Sequence, residues 1–450
     1  MTEKSFELTK KLGEFILTRH KSEIPAHVFE HAKVAFMDWL AVTIAGREDP
    51  LVEKLINYSN LIGGHEQATI LGHGIKKSVM HAALINGSAS HALDYDDSLG
   101  AFLGHPSVTI FPSILALSEW QEKSGSDFLT AYIIGLTVGS AIGSCAGFEH
   151  YMAGWHGTST LGHFASAAGC AKLLQLTQQQ TVYALGIAGT QSCGLKRVFG
   201  TMCKPFHAGN AAQTGMMSSL LAMDGFTCVD DILEGKLGFF HVAKGSADQS
   251  VFEKLGTSWE IENLAQKYHA SCHATHSPIE AARSIVAKDH IQPGDIQAIK
   301  IFSSQLSLDA AGKSNPTTGL EAKFSIPYCV ANSLLNSNTG TQAFDDEKVN
   351  QPDIRLLMDK ISVEMTDEFT GLEARVEIKT NSGKVYSMVF NIMDEIPALD
   401  QKKEYISAKF QDLCGPVFGS QVTKDLSNTI LSLEKLGNMR ELIARLDVKS

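Results

Sequence analysis

The sequence concentrates ionisable side chains in one short window, from His91 to Ser107. Three carboxylates, those of Asp94, Asp96 and Asp97, stand there with hydroxyls and two imidazoles, between flanks that have the composition of buried helices. Globular interiors rarely contain so many charges unless the charges are paired or take part in chemistry. We therefore expect the functional site at this window, which we call the acidic turn (residues 91–107).

Four further segments place polar side chains in otherwise apolar sequence. Lysine, histidine and tyrosine are side chains that can move protons and hold carboxylates, so these segments are the candidate partners of the acidic turn. They are residues 151–159 with Tyr151 and His156, 196–210 with Lys204 and His207, 269–276 with His269, His273 and His276, and 323–328 with Lys323 and Tyr328.

Each candidate also has a structural interpretation. The aspartates can cap a helix, His156 can be a hydrogen-bonded core histidine, and Lys196 with Arg197 can form a solvated turn. The segment 269–276, with its three histidines and a cysteine, could hold zinc if it were helical. Pro278 instead predicts that a helix begins after His276, so we expect no metal in this segment.

The overall composition excludes several classes of protein. The chain has 450 residues, is 44% hydrophobic and 19% charged, and carries a net charge of −11, which predicts a soluble two-domain protein and no nucleic-acid partner. Eight cysteines without a C-x-x-C pair, and a polar segment from Met1 to Phe6, favour a cytoplasmic protein with reduced thiols. Neither a nucleotide-binding glycine loop nor a G-x-S-x-G elbow is present.

Up to about residue 245 the apolar spacing is helical, with no convincing strand pattern. The apolar stretch 128–147 has a glycine or serine at every fourth position, which favours a helix buried in a soluble bundle over a membrane span. The predicted helices are 6–20, 25–46, 51–61, 77–92, 106–124, 128–147, 159–174, 178–189 and 210–221.

Beyond residue 265 the pattern alternates in four places, at 298–302, 361–365, 374–378 and 385–390, and residues 381–383 predict a hairpin between the last two. Helices are predicted between these strands at 277–288, 324–335 and 345–358, and after them at 402–413, 421–433 and 439–446. We therefore expect a mostly α protein with a large helical domain (1–265), a smaller α+β domain (266–396) and C-terminal helices (397–450) that return to the first domain.

Together, the five segments resemble the MmgE/PrpD family, which includes 2-methylcitrate dehydratase, cis-aconitate decarboxylase and iminodisuccinate epimerase. The resemblance covers nearly the whole chain. The motifs that carry it are His91-x-x-Asp94-Tyr-Asp-Asp-Ser98, Gly104-His-Pro-Ser107, His156 with Gly162 and Ala165–Ala168, Lys204-Pro-x-His207-x-Gly-Asn-Ala-Ala212, and Ser325-Ile-Pro-Tyr328.

This resemblance implies a large helical domain with a smaller α+β lid, a homodimer, and catalysis without a metal or an organic cofactor. It also implies that Asp94, Ser98, His105, His156, Lys204, Tyr328 and one histidine of the segment 269–276 line the site. We assign the catalytic role in that segment to His273 and a substrate-binding role to His276, although the resemblance fits either one. Ser98 and His207 are the other expected substrate-binding residues.

The chemistry that the family shares is proton movement at a carbon next to a carboxylate. Lys204, His156 and His105 are the expected cations that would stabilise the negative charge of the intermediate. Tyr328, Tyr151 or a histidine would be the acid.

Asp94 is expected to orient a histidine. A lyase acting on a small di- or tricarboxylic acid is the first hypothesis. A two-base epimerase that uses Tyr151 and Lys204 is the second, and a non-catalytic binding protein is the third.

Overall fold

The computed structural model describes residues 7–336 and 338–446. Helices form most of the first 245 residues, as predicted, because apolar residues recur there at helical spacing. The predicted first residue of the first helix, Phe6, and the polar segment from Met1 lie outside the described residues. The α-helices of this part are α1 Leu8–Thr18, α2 Ala26–Gly46, α3 Pro50–Ile62, α4 Val79–Ala92, α5 Ser107–Trp120, α6 Gly125–Met152, α7 Gly157–Leu174, α8 Gln178–Gln191, α9 Cys203–Met223 and α10 Phe239–Ala243.

Two details of this part differ from the prediction. A short antiparallel hairpin, β1 Ala68–Ile70 with β2 Ile75–Lys77, interrupts the helices, and three-residue strands are too short to show an alternating pattern. Helix α9 begins at Cys203 rather than at residue 210, so Lys204 lies in its first turn. Pro205 is compatible with this position because the first turn of a helix does not need its backbone N–H groups.

The later part has the expected mixture of helices and strands. Four strands form one sheet in the order β4-β3-β5-β6, in which β3 and β4 are parallel and the other pairs are antiparallel. The strands are β3 Ile296–Ser303, β4 Ile361–Met365, β5 Ala374–Thr380 and β6 Val385–Phe390. The α-helices are α11 Gln249–Glu253, α12 His276–Asp289, α13 Gln305–Ala311, α14 Gly319–Ala322, α15 Ile326–Asn336, α16 Asp346–Val349, α17 Pro352–Met358, α18 Leu399–Phe418, α19 Ser420–Leu431 and α20 Arg440–Ile443.

Two hydrophobic cores organise the chain. The first combines side chains from residues 8–264 with others from residues 406–446, and α18 packs along α2. The second lies between the four-stranded sheet and helices α12, α15 and α17, and draws almost entirely on residues 270–378. The domain boundaries at 265 and 396 stay a prediction, which these two cores support. We call the part around the second core the lid domain.

Helix α6 is the one described helix that is long and apolar enough to cross a membrane. It lies against α7 inside the first core, and 89% of its most apolar window is buried. The backbone breaks the helix at Gly147, whose φ of 71° is a left-handed value that glycine adopts without strain. The chain therefore turns after residue 147 and carries Phe148 and Tyr151 to the edge of the site.

Close approach of α4 and α9 brings two of the candidate segments together. A Cβ on Gly87 would lie 2.7 Å from the Cα of Gly209, so the two helices touch where neither has a side chain. From this crossing α4 runs to His91 in its last turn, and α9 runs back to Lys204 in its first turn. Antiparallel packing through glycine thus places the lysine against the acidic turn.

Candidate active site

A cavity of about 350 Å³ opens between the helical domain and the lid domain. The residues of the acidic turn, the start of α7, the start of α9 and the segment 269–276 meet at its polar end. We call this polar end the cavity floor; its residues are Ser98, His105, His156, Lys204 and His273. Side chains that lie as many as 175 positions apart in the chain therefore share one site.

Asp94 anchors the cations of the floor. Its Oδ1 lies 2.6 Å from the Nζ of Lys204 and 3.1 Å from the Nζ of Lys267. Burial acts to raise the pKa of this carboxyl, but the two ammonium groups outweigh burial and hold the pKa well below its usual range. The prediction that Asp94 orients a histidine is wrong: both of its close charged partners are lysines.

Lys267 is a site residue that the sequence analysis missed. Its side chain is completely buried, and its Nζ also donates to the backbone carbonyl of Asp94 at 2.8 Å. Burial acts to lower the pKa of Lys267, but the carboxylates of Asp94 and Asp96 raise it above its ordinary value. A single lysine between Gln266 and Tyr268 gives no signal in a single sequence, because its partner lies 173 positions away.

Asp96 has the role that was predicted for Asp94. Its Oδ1 accepts a hydrogen bond from Nδ1 of His91 at 2.9 Å, and its Oδ2 lies 3.2 Å from Nδ1 of His105. Burial lowers the pKa of His91 to about 4, so this imidazole is neutral near pH 7. Its Nε2 therefore accepts a hydrogen bond from Lys204 at 3.1 Å, and Asp96 fixes the tautomer that allows it.

His105 is held in a defined tautomer as well. Its Nδ1 donates to the backbone carbonyl of Asp97 at 2.7 Å, which leaves Nε2 with a free lone pair. Asp97 itself bonds the hydroxyl and backbone N–H of Ser107 at the start of α5, and burial raises the pKa of Asp97 well above its usual range. The structural interpretation, helix capping, thus fits Asp97, whereas Asp94 and Asp96 organise the site.

Three long helices begin at the floor, namely α5, α7 and α9. Helix N-termini carry partial positive charge and unpaired N–H groups, which favour a bound carboxylate. His156 is the N-cap residue of α7, and its Nδ1 lies 3.0 Å from Nδ1 of His207. Burial, and then the charge of Lys204, lower the pKa of His156 well below its usual value, which disfavours the cationic form that was expected of His156.

In the segment 269–276 it is His273 that reaches the cavity. Its Nδ1 lies 2.5 Å from the hydroxyl oxygen of Ser98, and burial lowers its pKa to about 3. His276 lies behind it, with Nε2 3.3 Å from the carbonyl oxygen of Ser271. His276 and His207 are therefore placed behind the lining side chains, and neither takes the substrate-contacting position that was predicted.

The two tyrosines differ in position. The Tyr328 hydroxyl donates to the backbone carbonyl of Ala343, and the side chain is buried away from the cavity lining. The expectation that Tyr328 supplies the catalytic proton is therefore wrong. Tyr151 does line the cavity, where Lys196 lies 3.8 Å from its ring centroid, and burial raises the pKa of its phenol.

Buried lysines also fix the backbone of the acidic turn. The carbonyl oxygens of residues 93, 94 and 95 accept hydrogen bonds from Lys323, Lys267 and Lys409 respectively. These lysines come from the lid domain, from the segment before it and from the C-terminal helix α18. The contacts hold Asp94 at a φ of 51°, a left-handed conformation that is uncommon for a residue other than glycine.

Within the described residues, one group of donor atoms has the composition of a metal site: His91, Asp94, Asp96 and His105, with donors within 4.8 Å of one another. The ammonium of Lys204 already lies against His91 and Asp94 in this group, and Lys267 lies against Asp94. A divalent cation would meet two like charges there, so these residues fit an ammonium group better than a metal ion.

Comparison with known proteins identifies the family. The MmgE/PrpD N-terminal domain matches residues 10–251, and the MmgE/PrpD C-terminal domain matches residues 269–435. The cis-aconitate decarboxylase-like protein oryM of Aspergillus oryzae is 26% identical over 97% of this chain and 96% of its own length. Cis-aconitate decarboxylase of Aspergillus terreus is 26% identical over 94% and 93%, and that of Mus musculus is 26% identical over 80% and 77%. The family and these relatives indicate an enzyme of lyase type, and the chain belongs to the MmgE/PrpD family.

Proposed function

We propose that the protein is a decarboxylase of a small unsaturated carboxylic acid and that it uses neither a metal nor an organic cofactor. The observation that carries this proposal is the buried ammonium of Lys204 at the polar end of the cavity. It is held by Asp94 and His91 and surrounded by the starts of three helices. The relatives named above support the reaction type, because a cis-aconitate decarboxylase removes a carboxylate from an acid of this kind.

Binding of a carboxylate at the floor follows from the free donors there. An ammonium has three N–H groups, and Asp94 and His91 accept two of those of Lys204. The third is available for a substrate carboxylate, since Lys204 lines the cavity. Such charge-assisted hydrogen bonds are about twice as strong as neutral ones. The substrate would therefore bind with one carboxylate on Lys204.

The reaction needs an electron sink and a proton donor. The bond between a methylene carbon and its carboxylate breaks, and carbon dioxide leaves. The electron pair moves through the neighbouring double bond to the carbon next to the remaining carboxylate, where it forms an enediolate. Lys204 stabilises this charge and gives its proton to that carbon, and its amine takes a proton back from water. Preorganised cations of this kind are usually the largest catalytic contribution.

The other hypotheses have less support. A two-base epimerase needs Tyr151 as a ready base, but burial raises the pKa of its phenol and disfavours the anion. A dehydratase would need a base at the carbon next to a carboxylate, and the free Nε2 of His105 could serve. A binding protein would not need the buried cations of the floor, which cost free energy to maintain.

The test is a screen of small unsaturated di- and tricarboxylic acids, together with the hydroxy acid 2-methylcitrate and with iminodisuccinate, in deuterated water with proton NMR of the products. A decarboxylase gives carbon dioxide and one deuterium on carbon, a dehydratase gives a new double bond with the carboxylates intact, and an epimerase exchanges deuterium without loss of mass. Lys204→Met should lower kcat about 100- to 1000-fold. The exposed Lys236→Met is the matched control and should leave kcat unchanged. A kcat of the Lys204→Met variant within three-fold of that of the unaltered protein would contradict the proposal.

The homodimer and the cytoplasmic location expected from the sequence stay predictions.

A further inference from the structure

Away from the floor most of the cavity lining is apolar, apart from Glu373 and Asn391. Helix α13 of the lid domain contributes Leu306 and Ala310, the loops on either side of β5 and β6 contribute Leu372 and Met393, and Phe148 closes the edge after the break in α6. We call these five residues the apolar wall. An apolar surface lining a cavity favours an apolar ligand group, at roughly 25 cal/mol for each Å² removed from water.

The side chains at the floor also carry little net positive charge for binding carboxylates. Lys204 and Lys267 both pair with the carboxylate of Asp94, and the buried carboxylate of Asp96 adds a second negative charge that acts on Lys267. The imidazoles of His156 and His273 are neutral near pH 7, since burial lowers both of their pKa values.

Beyond the floor, the lining has no second cation to take another carboxylate. Within the described residues, the cavity lining contains no arginine and only one lysine, Lys204, and the charged side chain nearest the apolar wall is the carboxylate of Glu373. Of three carboxylates on a ligand, one would bind Lys204 and one would leave as carbon dioxide, so the third would stay against apolar or acidic side chains. Burying an unpaired carboxylate is strongly unfavourable.

We propose that the substrate carries at most two carboxylates, together with an apolar chain that lies against the apolar wall. This inference rests on the proposed function and specifies its substrate: an unsaturated dicarboxylic acid in which an alkyl group stands where cis-aconitate has its third carboxylate. One carboxylate binds Lys204, the other leaves as carbon dioxide, and the alkyl group contacts α13.

A matched substrate series tests this inference. Cis-aconitate is glutaconate with a carboxylate on carbon 3, so 3-alkylglutaconates from methyl to hexyl keep the reacting carbons and change only that group. We expect kcat/KM to rise about four-fold with each methylene buried, until the wall is filled. We also expect cis-aconitate to react at least ten-fold more slowly than the best member of the series.

Leu306→Lys tests the wall itself, because this change places a cation where the alkyl chain is expected. It should lower kcat/KM for the longer alkyl substrates at least ten-fold and raise it for cis-aconitate. The matched control is Leu356→Lys on α17, since Leu356 is 66% exposed and lies outside the cavity lining. This control should leave kcat/KM unchanged for both kinds of substrate, and circular dichroism of both variants would show that the fold is kept.

The outcomes separate this inference from the proposed function. If cis-aconitate is the best substrate and Leu306→Lys leaves the ratio of kcat/KM values unchanged, the inference is overturned while the decarboxylase stands. If no acid in either set loses carbon dioxide, the proposed function itself fails.

Discussion

Replacement of Lys267 by methionine should destabilise the protein far more than the loss of an ordinary lysine. Methionine has a similar length but no charge, so the change removes the ion pair with Asp94 and the hydrogen bond to the Asp94 carbonyl. Removing one partner of a buried ion pair costs about 3–5 kcal/mol, because the other charge stays buried with less compensation. Lys204 still faces Asp94, which places the expected loss near the lower figure, about 3 kcal/mol.

Urea unfolding at pH 7.5, followed by circular dichroism, measures this loss. Lys300→Met is the matched control: Lys300 lies on β3, its side chain is 57% exposed, and its pair with Glu364 spans 3.8 Å. An exposed pair of this kind contributes about 0–1 kcal/mol. The difference between the two variants therefore reports the buried pair and not the loss of a lysine in general.

A double-mutant cycle with Asp94→Asn gives the second measurement. When Asp94 is neutral, Lys267→Met no longer leaves a buried carboxylate with too little positive charge around it. The loss caused by Lys267→Met should therefore fall by about 1–3 kcal/mol in the Asp94→Asn background. If Lys267→Met costs less than 1 kcal/mol, as Lys300→Met should, or if the two changes are additive, then our account of how Asp94 is held is refuted.

Two further predictions concern pH and helix packing. Burial lowers the pKa of His91 from 6.5 to about 4, so between these values the unfolded chain binds a proton that the folded protein does not. The free energy of unfolding should therefore fall as the pH falls through this window, and His91 alone should lower it by about 2 kcal/mol at pH 5. A urea midpoint that stays the same between pH 7.5 and pH 5 would contradict this expectation. Gly209→Ala should cost about 1–3 kcal/mol in urea unfolding because the new Cβ collides with the Leu84 carbonyl of α4. Gly437→Ala is the control, because a Cβ there has no heavy atom within 4 Å, and it should leave the free energy of unfolding unchanged. Equal losses of stability in the two variants would contradict the explanation from helix packing.

The local sequence was enough to find the segments of the site. Buried charges stand out in apolar sequence, so the acidic turn, His156, Lys204 and the segment 269–276 could be selected without coordinates, although the histidine of that segment that reaches the cavity could not. Helices and strands were predictable for a similar reason, because periods of 3.6 and 2 residues are local properties. Signals of this kind failed for β1 and β2, which are too short to show a period, and for the start of α9.

The roles within the site depended on contacts between distant parts of the chain. Only the fold shows that Asp94 faces two lysines while the nearby Asp96 faces two histidines, because the chain turns at Asp94, which has a left-handed φ of 51°. Only the fold shows that Tyr328 points to a backbone carbonyl.

The sequence by itself determined which side chains this protein has for chemistry and which segments of the chain carry them, because composition and period are properties of neighbouring residues. The tertiary structure alone decided which of those side chains are charged. Burial disfavours the charged form and a nearby opposite charge favours it, so the charge of each group is set by neighbours that the fold brings from elsewhere in the chain.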